Sequence, residues 1–245
     1  MDETRVPDEL ARLWRITPES RLGRPARLDV ARVVDAAVEL ADREGLAAAT
    51  LPKVAESLGV TKMSLYRYVG SKDELLALMQ DAAIGPVPSS LDGTGPWRAR
   101  LRLWAVEQRD GLARHPWLAT APVSGPPKGP NMIGWLDAGL RALRESSLDW
   151  GAKVGVVMLV SEYVRSSAQL VQGLESGREA GQDQAAAERD YGRAMASLVS
   201  PERFPDAAAL FSSALFEDTG DDTAQQDFDF GLDLILDGVA AAVER

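Results

Sequence analysis

The chain has 245 residues, enough for a small head and a larger body, and its 45% hydrophobic and 26% charged residues are those of a folded globular protein. With no cysteine, it has no disulfide, no thiolate metal site and no cysteine nucleophile. The formal net charge of −10 is unevenly spread: Arg21 to Lys72 carries nine Lys/Arg against six Asp/Glu, whereas Glu217 to Asp237 carries eight acids and no base. A polyanion is therefore repelled at the far end and admitted at the front.

Residues 1–26 read as an arm. Met1–Leu22 includes Asp2, Glu3, Asp8 and Glu9 without an apolar core, so no secretory signal is expected. No apolar run reaches membrane-spanning length, and a cytoplasmic protein with no membrane partner is expected. Leu10, Leu13 and Trp14 stand at helical spacing, compatible with a short helix. Arg21, Arg24 and Arg27 suit either an arm entering a DNA minor groove or a solvated basic linker.

From there the apolar spacing is helical almost throughout, without a period-two strand or a repeat. Asp29 is predicted to cap a first helix that buries Val30, Val33, Val34, Ala37, Val38 and Ala41 and stops at Gly45. Thr50 caps a second, Leu51–Leu58, with Pro52 in its first turn, where a missing N–H costs little. Gly59 turns the chain and Thr61 caps a third helix reaching to about Val69. Ser71-Lys72-Asp73-Glu74 is a capping-box pattern opening a fourth, to Ala83. The Gly-centred turn between the second and third makes a helix-turn-helix over about residues 50–69, within a head at 27–87. Val54, Ala55, Leu58, Val60 and Leu65 pack it, leaving Lys62, Met63, Ser64, Tyr66, Arg67 and Tyr68 mostly outward on a helix that fits a major groove.

The segments Leu58-Gly59-Val60, Leu65-Tyr66-Arg67-Tyr68-Val69 and Lys72-Asp73-Glu74-Leu75 resemble the DNA-binding head of the tetracycline-repressor (TetR) family, from about Leu28 to Ala83. The resemblance implies an all-α fold: a three-helix helix-turn-helix head joined by a fourth helix to a larger helical body that binds a ligand and dimerises. It implies base reading by Thr61, Lys62, Met63, Ser64 and Arg67, and phosphate contacts by Tyr66, Tyr68 and Lys72. Thr50 and Lys53 match further DNA-touching positions, and Arg27 precedes the first helix, while Pro52 stands where some members place a base-contacting arginine.

The Gly/Pro-rich stretch Gly85–Pro96 leaves the head, and a body at 88–245 follows, with helices expected at Trp97–Arg114, Asn131–Ser146, Trp150–Leu174, Ala185–Val199 and Thr223–Val243. Pro122–Pro130 and the polar Glu175–Asp183 interrupt them. Arg114-His115-Pro116-Trp117-Leu118, Gly129-Pro130-Asn131 and Phe230–Gly238 resemble the C-terminal domain of the same family. That implies a homodimer built on two long helices, here Trp150–Leu174 and Thr223–Val243. Phe228, Leu232, Ile235 and Val239 form a stripe that suits such an interface or a monomer core; Phe230 and Leu234, off the stripe, favour a partner.

The expected partners are double-stranded operator DNA and a small apolar or amphipathic effector. Five body tryptophans, at 97, 104, 117, 135 and 150, suit an aromatic pocket, though core packing accounts for most of them. No cofactor or metal is expected: His115 is the only histidine, and Ala121–Pro130, where metal-ligating members carry one, has none. No catalytic residue is expected either, since nucleophile-elbow, phosphate-loop, dinucleotide and zinc-protease motifs are all missing. An acidic helical adaptor binding protein rather than DNA is the remaining alternative.

Overall fold

The computed structural model describes residues 6–16, 28–123, 125–177, 183–217 and 223–244, and these are helical with no strand among them. In order they form α1 (Asp8–Leu13), α2 (Val30–Glu44), α3 (Leu51–Ser57), α4 (Lys62–Leu65), α5 (Lys72–Ile84), α6 (Trp97–Arg114), α7 (Trp117–Thr120), α8 (Pro130–Ala142), α9 (Trp150–Gly177), α10 (Gln184–Leu198), α11 (Pro205–Phe211) and α12 (Thr223–Val243). Two compact units result, one within residues 1–168 with 236–245, the other spanning 169–235.

All four expected caps of the head are in place. Asp29, Thr50, Thr61 and Ser71 accept from the backbone N–H groups of Arg32, Lys53, Ser64 and Glu74. The capping box at Ser71 closes differently from its pattern. Glu74 reaches past Ser71 and accepts from the Gly70 N–H at 2.9 Å, and both its oxygens receive the Arg12 guanidinium. That ion pair raises the Arg12 pKa, chiefly through the hydrogen bond, and docks α1 on α5. The short arm helix suspected from Leu10, Leu13 and Trp14 is therefore real, with Leu13 buried in the head core.

That core joins Val33, Val34, Ala37 and Leu40 of α2 to Val54 and Ala55 of α3, to Leu65 and Val69, and to Leu75, Leu78 and Met79 of α5. Leu58 and Val60 only border it. Trp117, Leu118 and Ala121 complete it from the body side, so the head–body boundary near residue 87 is not a gap in packing. The polar fastenings cross the same boundary. Trp117 donates its indole N–H to Asp42 of α2 at 2.7 Å, and His115 Nδ1 lies 2.8 Å from the same carboxylate. Trp14 donates to the Lys128 carbonyl, and on the body side Arg165 of α9 donates to the carbonyls of Ala119 and Ala121, which hold the segment that completes the core.

Four elements depart from the expectations. The third head helix ends at Leu65 and continues as turns through Tyr68. α7 follows the His115-Pro116 corner, and α9 runs on to Gly177, into the stretch expected to be irregular. Residues 200–216, which carry no strong periodic pattern, form α11 and a 3-10 turn at Ala214–Phe216, and with α10 they hold an aromatic cluster of Tyr191, Phe211 and Phe216.

Three of the body tryptophans are struts rather than pocket walls. Trp104 is buried and donates to the Trp135 carbonyl at 2.9 Å; Trp135 donates to the Gly85 carbonyl at 3.1 Å; Trp117 holds Asp42. Trp104 lies flat against Gly139 of α8, where an added Cβ would meet its ring at 2.8 Å and Val157 at 3.1 Å. Gly139→Ala should therefore destabilise the chain by about 1–3 kcal/mol, the usual cost of overfilling a closed core. A thermal unfolding midpoint equal to the wild type would show that Trp104 shifts freely.

Candidate nucleic-acid interface

The turn between α3 and α4 is made at Gly59, whose φ of +65° lies in the left-handed region that residues with a Cβ seldom enter. Thr61 then starts α4 with its side chain 3.3 Å from the Ser64 N–H. Four residues of helix cannot hold themselves together. Leu65 and Val69, both with 0% exposure, fix the segment to the head core from its far side.

What remains outward is a compact face. Lys62, Met63, Tyr66 and Arg67 are exposed, Met63 to 75%. Lys62 Nζ stands 5.7 Å from the centre of the Tyr66 ring. Lys72 is exposed at the first position of α5, beside the same corner. Ser64 and Tyr68 are half-buried; the Ser64 and Thr61 hydroxyls lie 3.0 Å apart, and Tyr68 leans on the core. The arrangement offers cations, hydroxyls and one apolar side chain on one convex surface, the combination that reads base edges and holds phosphates.

At the start of α3 the picture is different. Thr50 caps the helix, and Lys53 Nζ lies 2.9 Å from Glu44 Oε2 of α2. The ammonium holds the Glu44 carboxyl below its ordinary range, chiefly through that hydrogen bond. The contribution of such a lowered carboxyl is present at neutral pH and lost as pH falls through the lowered pKa. With three donors on its half-exposed ammonium, Lys53 can share itself between this partner and a phosphate. Arg27, with Arg21 and Arg24, lies outside the described residues.

Sequence reasoning missed Arg12 and Asp42, and it read Glu74 only as a capping-box residue, yet these three aim this face. Arg12 and Glu74 fix the corner at Gly70 just ahead of Lys72, and Asp42 pins α2 to the body. Only the helical spacing around Leu10 pointed toward the first of these, and nothing in the sequence pairs Asp42 with residues more than seventy positions away.

Three of the four residues of the stripe on α12 are buried within the single chain. Phe228, Leu232 and Val239 are 1%, 0% and 4% exposed in the single chain, and Ile235 is half-buried. Ile235 keeps an open side. The apolar groups that α12 leaves open are Phe230 and Leu234; on α9 they include Met158, Leu159, Leu170 and Leu174.

No helix among the described residues is long and apolar enough to cross a membrane, and no described cluster of acids and histidine could hold a metal ion.

Comparison with known proteins agrees with this geometry. Residues 33–79 match the family of bacterial regulatory proteins of the tetR type, and residues 88–243 match the tetracyclin repressor-like C-terminal domain. The transcriptional repressor DrrR1 of Streptomyces coeruleorubidus is 35% identical, covering 99% of this chain and 90% of its own length. A transcriptional regulator of Saccharopolyspora erythraea is 30% identical, covering 91% and 89%. Apo ActR from Streptomyces coelicolor superposes with a TM-score of 0.73 at 25% identity, over 90% of this chain and 99% of that one. ActR in complex with actinorhodin gives 0.73 at 26%, over 89% and 98%. An all-α chain that presents this face on a helix-turn-helix, and matches the family at both ends, is a DNA-binding transcriptional regulator and belongs to the TetR family.

Proposed function

We propose that the protein is a cytoplasmic repressor that binds a near-palindromic operator as a two-fold homodimer and leaves it when a small apolar or amphipathic molecule enters the body. The observation that carries the reading is the exposed Lys62/Met63/Tyr66/Arg67 face, held rigid by buried Leu65 and Val69. Lys62, Met63 and Arg67, with Thr61 and Ser64 at the helix start, read bases; Tyr66, Tyr68 and Lys72 hold phosphates, with Thr50 and Lys53 at the flank. Arg27 supplies a further contact from the arm. The head spans residues 27–87 and the body 88–245, and the protein acts without catalysis.

The similar protein DrrR1 is named a repressor, which supports that direction of control. Effector binding has support of two kinds. ActR is known with actinorhodin bound, and Gln108 of α6 offers a polar group inside the body. Its Oε1 accepts from Ser161 of α9 at 3.2 Å, while its buried Nε2 has no partner among the described residues. An unsatisfied buried donor costs stability until something accepts from it. A second copy covers the open apolar side chains of α9 and α12, and two-fold symmetry then matches the symmetry of the site.

Duplexes retained from a random pool by the wild type supply the operator, and fluorescence anisotropy then ranks variants on it. Tyr66→Phe and Lys72→Ala should both weaken binding, and Lys72→Ala should lower the slope of log K against log salt by about one. Wild-type affinity in both variants at physiological salt would remove this face from the DNA. For assembly, Phe230→Glu with Leu234→Glu should give a folded monomer in sedimentation, whereas Leu232→Glu should fail to fold. A dimer that survives the first pair of changes would move the interface elsewhere.

A further inference from the structure

We infer that Asp81 is a positioning residue through which the first turn of α8 sets the angle of the DNA-reading head, so that the pair of heads fits one half-site spacing. The inference rests on the dimeric, DNA-binding reading above.

Among the described residues Asp81 is the one charged side chain that is buried, at 5% exposure. It lies one turn from the end of α5, the helix that leads out of the head. α8 has no side-chain cap of its own, since Gly129 and Pro130 can supply none, and Asp81 supplies it from another helix. Its Oδ1 accepts from the Met132 N–H at 2.9 Å, and its own carbonyl accepts from the Asn131 amide at 2.8 Å. The α8 backbone lies flush against the carboxylate: a Cβ at Gly129 would stand 2.0 Å from Oδ1. One turn further along α8, Trp135 donates to the Gly85 carbonyl at the end of α5.

A filler would not be an aspartate. Burial pushes the Asp81 carboxyl up, against the bonds from Met132 and Asn131 and the nearby charge of Arg15, so the ionised form is disfavoured where it sits. What the carboxylate gives in return is direction. A helix N-terminus offers its free N–H groups along one axis, and an acceptor buried against it holds only one register.

The other side of α8 is fastened as firmly. The Trp135 carbonyl accepts from Trp104 of α6, and Gly139 lies against the Trp104 ring. Any displacement of α8 by its neighbours is thus handed to α5 at Asp81. The opposite end of α5 carries Lys72, and Glu74 there fixes Gly70 and Arg12. Thirteen residues make α5 a rigid lever about 20 Å long. Adjacent base-pair steps are about 3.4 Å apart, so a small rotation of the lever is enough to misregister one head of a pair.

The test separates positioning from folding. Asp81→Ala, Asn131→Ala and Asp81→Asn are measured on the selected operator, on a half-site duplex, and on operators with one base pair added or removed between the half-sites. In parallel, spin labels placed by Glu56→Cys, the only cysteine such a chain contains, report the distance between the two heads without DNA. Asp81→Ala should lose about tenfold on the operator, an ordinary size for a coupling between sites. It should change little on the half-site, lose discrimination between spacings and broaden the inter-head distance. Asp81→Asn, which keeps the Oδ1 acceptor, should behave as the wild type. Asn131→Ala removes one part-buried bond to the Asp81 carbonyl and should show the same pattern more weakly, which preserves the test if Asp81→Ala does not fold. Equal losses on operator and half-site, or an unchanged distance distribution with unchanged spacing preference, overturn the inference. A wild type that enriches no duplex overturns the DNA-binding reading instead, and the label distances still decide for or against Asp81.

Discussion

A helix of four residues has no stability of its own, and the face we propose to read DNA is built on one. α4 makes too few intrahelical bonds to offset the chain entropy of forming it. Its shape is borrowed: Thr61 fixes its start, and Leu65 and Val69 sink into a core made by α1, α2, α3, α5 and α7. Lys62, Met63, Tyr66 and Arg67 are placed by a cap and by buried side chains rather than by the helix itself. Hydrophobic anchoring alone fixes depth and leaves rotation soft, because apolar contact is not directional. The direction of the head is set by polar contacts around the core's edge.

Those contacts share one design. A carboxylate on a head helix receives N–H groups from another segment: Asp42 from Trp117, Glu74 from Gly70 and Arg12, Asp81 from Met132. Tryptophan indoles do the same inside the body, donating to main-chain carbonyls at Trp135 and Gly85. A tryptophan carries a large apolar surface and one donor, so it can fill space and fix orientation together. This explains why tryptophans that suit a ligand pocket in composition serve as struts in the fold. Buried polar groups of this kind demand a partner, and the demand specifies one arrangement among many of similar packing.

The head was almost wholly legible in the sequence, because its signals are local. Each cap sits three residues from the N–H that it receives, Gly59 sits at the turn that requires it, and the apolar period gives the buried side. The fastenings were not legible, since Asp42 and Trp117, or Asp81 and Met132, are joined only by the folded path of the chain. α12 shows a different limit. Period and hydrophobicity select Phe228, Leu232 and Val239 as a stripe that must be buried, and it is. They carry no information on whether the burying surface belongs to the same chain or to a second copy. The useful clue lay in what the stripe left over, Phe230 and Leu234, apolar and open on a helix whose inner face was already satisfied. α11 had no clear period to read, as a seven-residue helix packed mainly on its neighbours in sequence makes little pattern.

The charge distribution gives the register of the heads its weight. On the reading face the cations are Lys62, Arg67 and Lys72, while Lys53 is engaged by Glu44. A head with so few cations releases few counterions, and sequence-independent affinity scales with that number. The remainder of the chain is strongly acidic, giving a net charge of −10. Screening over about 8 Å at physiological salt keeps that acid from cancelling the head's own contacts, but it denies DNA any favourable approach elsewhere. One head by itself is therefore a weak and unselective ligand. Occupancy of a site comes from two heads bound together, where the second binds at the effective concentration set by the first. That gain exists only while both recognition helices meet their grooves, so geometry between heads, more than attraction at either one, decides whether the protein stays on DNA. A regulator so arranged can be switched by a small rotation that carries one recognition helix out of its groove, without any rearrangement within the face itself.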